Sequence, residues 1–154
     1  MLRLGKKLTV FDGGMGSELE RAGLGAYDPV ELNLTHAEAV RAVHRAYAEA
    51  GADVITANTF GLNRIKYRGE YSLKELACAA VKNARAAGKE VLFDVGPTGA
   101  LLAPVGTLTF DEAYEAYAEI ARLTSDMVGG YLVETFSDLY ELKACVLALK
   151  EQSD

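Results

Sequence analysis

No stretch of the 154-residue sequence reaches the roughly 18 unbroken apolar residues that a membrane-spanning helix needs. The N-terminus also lacks the apolar core of a secretory signal, so a cytoplasmic location is expected. Basic residues are few: 16 Lys and Arg stand against 22 Asp and Glu, a formal net charge of −6. Because the basic residues are scattered as well, neither a nucleic acid nor an anionic membrane is expected as partner, and the ligand is expected to be small. Cysteine is scarce, with only Cys78 and Cys145. They lie far apart in the helical patterns ELACAAVKNA and ELKACVLALK, without metal-ligand spacing, and a small buried thiol is expected at each. No linker or low-complexity tract interrupts the chain, so residues 1–154 read as one domain. Half of them are hydrophobic, enough for a sizeable core.

What is present is a strand and helix alternation. Four short apolar, β-branched runs recur about forty residues apart, a spacing that accommodates a strand, a helix and two connections. They are LTVFD (8–12), VITANT (54–59), VLFDVG (91–96) and YLVETF (131–136). Helical patterns with identifiable starts lie between them. Thr35 with Glu38, Ser72 with Glu75 and Thr109 with Glu112 have capping-box spacing, Gly51 and Gly88 stand at helix ends, and a fourth helix starts near Ser137. Alternation of this kind implies right-handed crossovers and parallel strands, either in an open doubly wound sheet or in part of a (β/α)8 barrel.

Ligands of parallel α/β proteins bind beyond the carboxyl ends of the strands. There the sequence places Asp12-Gly13-Gly14, Asn58-Thr59, Gly96-Pro97-Thr98-Gly99 and Glu134-Thr135. The glycines do not fit a dinucleotide fingerprint, because Leu19 occupies the third glycine position, and the Gly-Lys-Ser/Thr of a P-loop is absent. Asp12 and Glu18 would repel a phosphate. A zwitterion suits the residues better: the amides of Gly13 and Gly14 can receive a carboxylate, and Asp12 and Glu134 can both face an ammonium group. The blander reading remains open, in which Asp12 caps the turn and Glu134 is a hydrogen-bonded acid in a packed mouth. His36 and His44 read as surface or packing residues, Tyr114 and Tyr117 as helix packing, and Arg64 and Lys66 as solvated charges. Tyr67 and Tyr71 would border a site.

The segments FDGGMGSELE, ELNLTHAEAV, VHRAYAEAGADVITANTFGLNRIKY, DVGPTGALLAPVGTLTFDEAYEAY and LVETFSDLYELKACVLALK together resemble the homocysteine S-methyltransferase domain, particularly the N-terminal module of cobalamin-dependent methionine synthase. The resemblance covers nearly the whole chain. It implies a (β/α)8 barrel whose zinc ion is held by three cysteine thiolates. It also implies that Asp12, Gly13, Gly14 and Glu134 hold the amino acid end of homocysteine, and that Asn58, Thr59 and Phe60 line the pocket. In TSDMVGGYLVET the sequence departs from the family's approach to the fourth strand, and a one-residue slip at its two glycines would turn Glu134 from the mouth.

A free thiol with a pKa of ~8.5 is only a few per cent thiolate at pH 7, a handicap of roughly 2 kcal/mol that zinc removes by binding the deprotonated sulfur. The resemblance puts the zinc cysteines after the sixth and eighth strands, and four units of the expected eight are visible here. The expectation is therefore the first half of the barrel, carrying the amino acid clamp without zinc ligands and inactive alone. Its two open edges would recruit a complementary half or a second copy, and the resemblance implies a methyl donor that is methylcobalamin on a partner module in the cobalamin-dependent relatives and a methylated sulfonium or betaine-type compound in others. The alternative is a non-catalytic module, either a self-associating half-barrel or a flavodoxin-like binding domain.

Overall fold

The computed structural model describes residues 8–153, so residues 1–7, on which the expectation about a secretory signal rests, lie outside the described residues. Three strands, β1 (Val54–Ala57), β2 (Glu90–Val95) and β3 (Tyr131–Val133), form a parallel sheet in the order β1-β2-β3. The helices are α1 (Met15–Arg21), α2 (Leu32–Thr35), α3 (Ala37–Glu49), α4 (Leu73–Arg85), α5 (Phe110–Thr124) and α6 (Leu139–Ser153).

The first apolar run lies parallel to β1 but pairs through a single bridge, Phe11 to Val54, rather than through a ladder. The physical reason is that side chains replace backbone at its next positions. The Asp12 carboxylate, not a backbone carbonyl, accepts the Thr56 N–H at 2.9 Å, and Asp53 Oδ2 accepts the Val10 N–H at 2.9 Å. The spatial order, first run then β1, β2 and β3, follows the chain. A flavodoxin-like sheet would place its first strand between the second and third, so that alternative does not match this order.

Ile55, Ala57, Val91, Phe93 and Val95 turn one face of the sheet into a core shared with α4 and α5, where Leu76, Ala77, Ala80, Tyr117 and Ile120 are buried. Successive helices pack on one another, α3 on α4, α4 on α5 and, most extensively, α5 on α6. The period of two in the strands sends Thr56, Asp94 and Leu132 to the opposite face, where they line a cavity.

The capping boxes at Ser72/Glu75 and Thr109/Glu112 form with both reciprocal bonds. The one expected at Thr35/Glu38 does not. Thr35 belongs to α2 and its hydroxyl donates to the Glu31 carbonyl at 3.1 Å, His36 is the residue before α3, and Glu38 pairs instead with Arg45 at 2.8 Å. Gly51 and Gly88 both have positive φ, 108° and 69°, as expected of residues that end helices. The fourth expected helix begins at Leu139, and Asp138 Oδ1 accepts the Tyr140 N–H at 2.7 Å.

One cysteine expectation is corrected: Cys145 is buried, but Cys78 faces outward from α4, its thiol 3.8 Å from the Met127 sulfur. The apolar pattern of ELACAAVKNA is satisfied by Leu76, Ala77, Ala80 and Val81, which leaves position 78 on the outer side. His44 is a packing residue, fully buried with neither ring nitrogen partnered among the described residues, and burial lowers its pKa to about 4, which keeps the ring neutral. His36 stacks near Tyr27, ring centroids 5.1 Å apart. Among the described residues no helix is long and apolar enough to cross a membrane.

Candidate active site

A cavity of about 410 Å³ opens at the carboxyl ends of the strands. Asp12, Gly13 and Gly14 line it from the first run, Asn58 and Phe60 from the end of β1, and Glu134 from the end of β3. These six are residues singled out by sequence. The seventh, Thr59, is buried behind the wall: its hydroxyl donates to the Asp94 carbonyl at 2.9 Å and accepts the Asp94 N–H at 3.1 Å.

Asp12 is held rigidly. Its Oδ2 accepts from the Thr56 amide at 2.9 Å and its Oδ1 from the Thr56 hydroxyl at 2.8 Å. An ionised carboxylate has about four lone-pair sites, so both bonds leave capacity for a ligand. Burial raises the Asp12 pKa, the Thr56 bonds oppose that shift, and the charge of Glu134 adds a smaller upward push. The glycine turn is fixed by Tyr47, whose hydroxyl donates to the Gly14 carbonyl at 3.2 Å. A Cβ at Gly13 would stand 2.9 Å from that hydroxyl, so a larger residue there would displace the Tyr47 ring. Among the described residues no side chain caps the start of α1, where Gly14 is the N-cap residue.

The two glycines before β3 do not displace its register. Tyr131, Leu132 and Val133 pair with Phe93, Asp94 and Val95, and the Glu134 N–H donates to the Val95 carbonyl at 3.2 Å. Thr135 follows with φ of 63°, a left-handed conformation uncommon for a β-branched residue, and also lines the cavity. Asn58 is anchored by donating to the Pro29 carbonyl at 2.6 Å, and its own carbonyl accepts from Asn33 at 2.8 Å. Phe60 separates the main cavity from a smaller one of about 140 Å³ that Lys66 and Tyr67 line. Lys66 Nζ lies 4.8 Å from the Phe60 ring centroid, and Arg64 pairs with Glu119 at 3.7 Å, so neither is simply a solvated charge. Tyr71 is exposed and lines neither cavity.

Sequence reasoning missed Asp94. It stands within β2 and lines the cavity beside Asp12 and Glu134, and its pKa is raised to about 7 by burial, then by the charges of Glu134 and Asp12. The available signal was an acid flanked by apolar residues in the run VLFDV of that strand, on the same face as Leu92. The cavity thus presents three carboxyl groups, a glycine turn at a helix start, and an aromatic wall. The chemistry of such a surface suits a cation beside the carboxyl groups and an anion beside the glycine turn.

Residues 9–154 match the family model described as homocysteine S-methyltransferase. The chain belongs to that family. It is 34% identical over 168 residues to the methionine synthases of Mycobacterium tuberculosis (strain ATCC 25618 / H37Rv) and Mycobacterium leprae (strain TN), covering 94% of this chain and 14% of each relative. The chain therefore spans about one seventh of the length of these relatives. Among solved structures it resembles the homocysteine methyltransferase MmuM from Escherichia coli. The metallated form gives a TM-score of 0.77 at 23% identity and the oxidised form 0.78 at 23%, over 95% of this chain and 60% and 59% of those chains.

A zinc ion does not fit the residues described here. Among them no group of three or more His, Cys, Asp or Glu is arranged to hold a metal ion. Cys78 is on the outside of α4, and burial, with the nearby Glu141, pushes the Cys145 thiol up to about 12, the reverse of what a thiolate ligand requires.

Proposed function

We propose that the chain binds the amino acid end of homocysteine in this cavity and forms part of a homocysteine S-methyltransferase, of the methionine synthase type, that methylates the homocysteine thiol. The observation that carries the reading is that Asp12 and Glu134, from opposite ends of the strand order, line one cavity together with the Gly13-Gly14 turn. The two acids would receive the ammonium, the turn would receive the carboxylate, and Asn58 and Phe60 would flank the rest of the chain. Thr59 would act at one remove, by fixing the β1 end against Asp94.

The same reading takes the fold as the first four units of a (β/α)8 barrel. It is supported by the sequential parallel order and by successive helices packed along one face of the sheet. A complementary half or a second copy would cover the edges. Leu8, Val10 and Phe11 are exposed at one edge, and Leu139, Tyr140, Val146 and Leu147 on α6 are exposed near the other. Zinc, and cobalamin on a separate module, would be contributed by residues other than those described here. The exposed apolar residues equally suit a non-catalytic, self-associating half-barrel, a second reading that methylation assays of the chain combined with its complementary half would eliminate.

Homocysteine titrated calorimetrically into wild-type and Asp12→Asn protein, each paired with the complementary half, tests the clamp. A charge-assisted hydrogen bond is worth ~1.5–3 kcal/mol, so Asp12→Asn is expected to weaken binding by about tenfold or more. Unchanged affinity would remove Asp12 from the substrate site.

A further inference from the structure

Three carboxyl groups converge where a single ammonium would need one or two. Asp12 arrives from the first run with both oxygens bonded to Thr56, and Glu134 arrives from the end of β3. Asp94 stands between them on β2 in a different condition: its Oδ1 is closed off from solvent and has no hydrogen-bond partner among the described residues. Its backbone is pinned from behind, because the Thr59 hydroxyl bonds to both its N–H and its carbonyl. The carboxyl group therefore cannot retreat easily from the cavity.

An ionised carboxylate so placed would carry an unsolvated charge and face two like charges, whereas protonation removes the repulsion and leaves only the smaller cost of a buried neutral oxygen. The charged groups around it are Asp12 and Glu134. β1 contributes the uncharged Thr56 on that side, the cavity lining includes no Lys or Arg among the described residues, and Lys66 lies against the Phe60 ring. An arriving ammonium reverses the balance by giving the ionised form the counter-ion it lacks.

Building on the homocysteine reading of the site, we infer that Asp94 is a third recognition group that exchanges its proton for the substrate's ammonium. The neutral carboxyl loses H⁺ to solvent as the cationic amino acid enters, and the resulting carboxylate pairs with the ammonium. No bond other than O–H breaks, and the charge change in the cavity is neutralised by the ligand. The site thereby selects primary amines that arrive charged, and a homocysteine acylated on nitrogen, which cannot supply the counter-charge, is excluded. A pKa of about 7 in the empty site is consistent with this exchange at neutral pH.

Calorimetric titration of homocysteine at pH 7, in buffers of different ionisation enthalpy, reads the exchanged proton directly. Release of about half a proton per ligand is expected from wild-type protein, since a group with a pKa near the ambient pH is half protonated. Asp94→Asn is expected to lose most of that release. Equal release from both proteins would overturn the inference while leaving homocysteine binding intact. If homocysteine gives no heat with wild-type protein, the homocysteine reading itself fails, and the Asp94 side-chain carboxyl ¹³C resonance is then followed while butylammonium is added. Movement to its ionised position supports the exchange, and an unmoved resonance, or one that titrates in the ordinary aspartate range in the free protein, overturns it.

Discussion

Replacing Glu141 by alanine is expected to cost about 3–5 kcal/mol of unfolding free energy, since several buried donors lose their acceptor at once and each left unpaired costs about 1–3 kcal/mol. Glu141 projects from α6 into the interior and is only 3% exposed. Its Oε1 accepts from the Thr98 N–H at 2.6 Å, the Thr98 hydroxyl at 2.7 Å and the Tyr117 hydroxyl at 2.9 Å. Truncation would orphan those donors, and Thr98 and Tyr117 are both buried, so water could not readily replace the lost acceptor. It would also leave a cavity beside Cys145, in the α5–α6 contact that is the most extensive between elements. Glu141→Gln keeps an acceptor and the volume, and its expected cost is smaller, about 1–2 kcal/mol. Urea unfolding of the two variants checks the order. An alanine variant within about 1 kcal/mol of wild type would show that the network contributes little. Thr98 lies two residues after Gly96, so the bond from α6 also fixes the loop that follows β2, where Gly96 packs against Phe60.

Gly96→Ala is expected to disturb stability and binding together. A Cβ at this position would lie 2.5 Å from Phe60 Cε2 and 2.7 Å from the Phe60 carbonyl oxygen, distances at which something must shift. The Gly96 N–H also donates to that carbonyl at 3.2 Å, so the backbone cannot move away without losing the bond. Overpacking of this kind typically costs about 1–3 kcal/mol. Because Phe60 forms the wall between the two cavities and supports Lys66, its displacement is expected to weaken homocysteine binding several-fold, as read by calorimetry. Wild-type stability and affinity in this variant would mean that the wall adapts and that Phe60 is not held by Gly96.

What could be read from the sequence was what short-range physics determines. Ser72/Glu75 and Thr109/Glu112 cap their helices as their spacing implies, since each box depends on four consecutive residues. Thr35/Glu38 has the same spacing and fails, because Glu31 and Arg45, distant from the box in different directions along the chain, compete for the two side chains. The first strand was legible as an apolar run. Its reduction to one bridge depends on Asp12 and Asp53 meeting backbone N–H groups of a neighbouring strand, which no local pattern records.

The site divides along the same line. Asp12 and Glu134 stand at strand ends, where the rule for parallel sheets directs attention, and both line the cavity. Asp94 lies inside a strand, and its importance emerges only when Thr59 pins it and two other acids face it. Thr59 is adjacent to Asn58 in sequence, yet the alternation of the chain at the end of β1 sends its hydroxyl behind the sheet edge rather than into the cavity. Cys78 illustrates the limit of helical periodicity: an apolar segment identifies a buried face, but not which small residue at its margin remains outside.

The most direct measurement is an amide-resolved NMR titration of the isotope-labelled chain with homocysteine. Shifts concentrated at Asp12, Gly13, Gly14, Asn58 and Glu134 are expected, with helix faces remote from the strand ends unmoved. Saturable shifts that bypass those residues, or none at any concentration in the presence of the complementary half, would contradict the amino acid clamp.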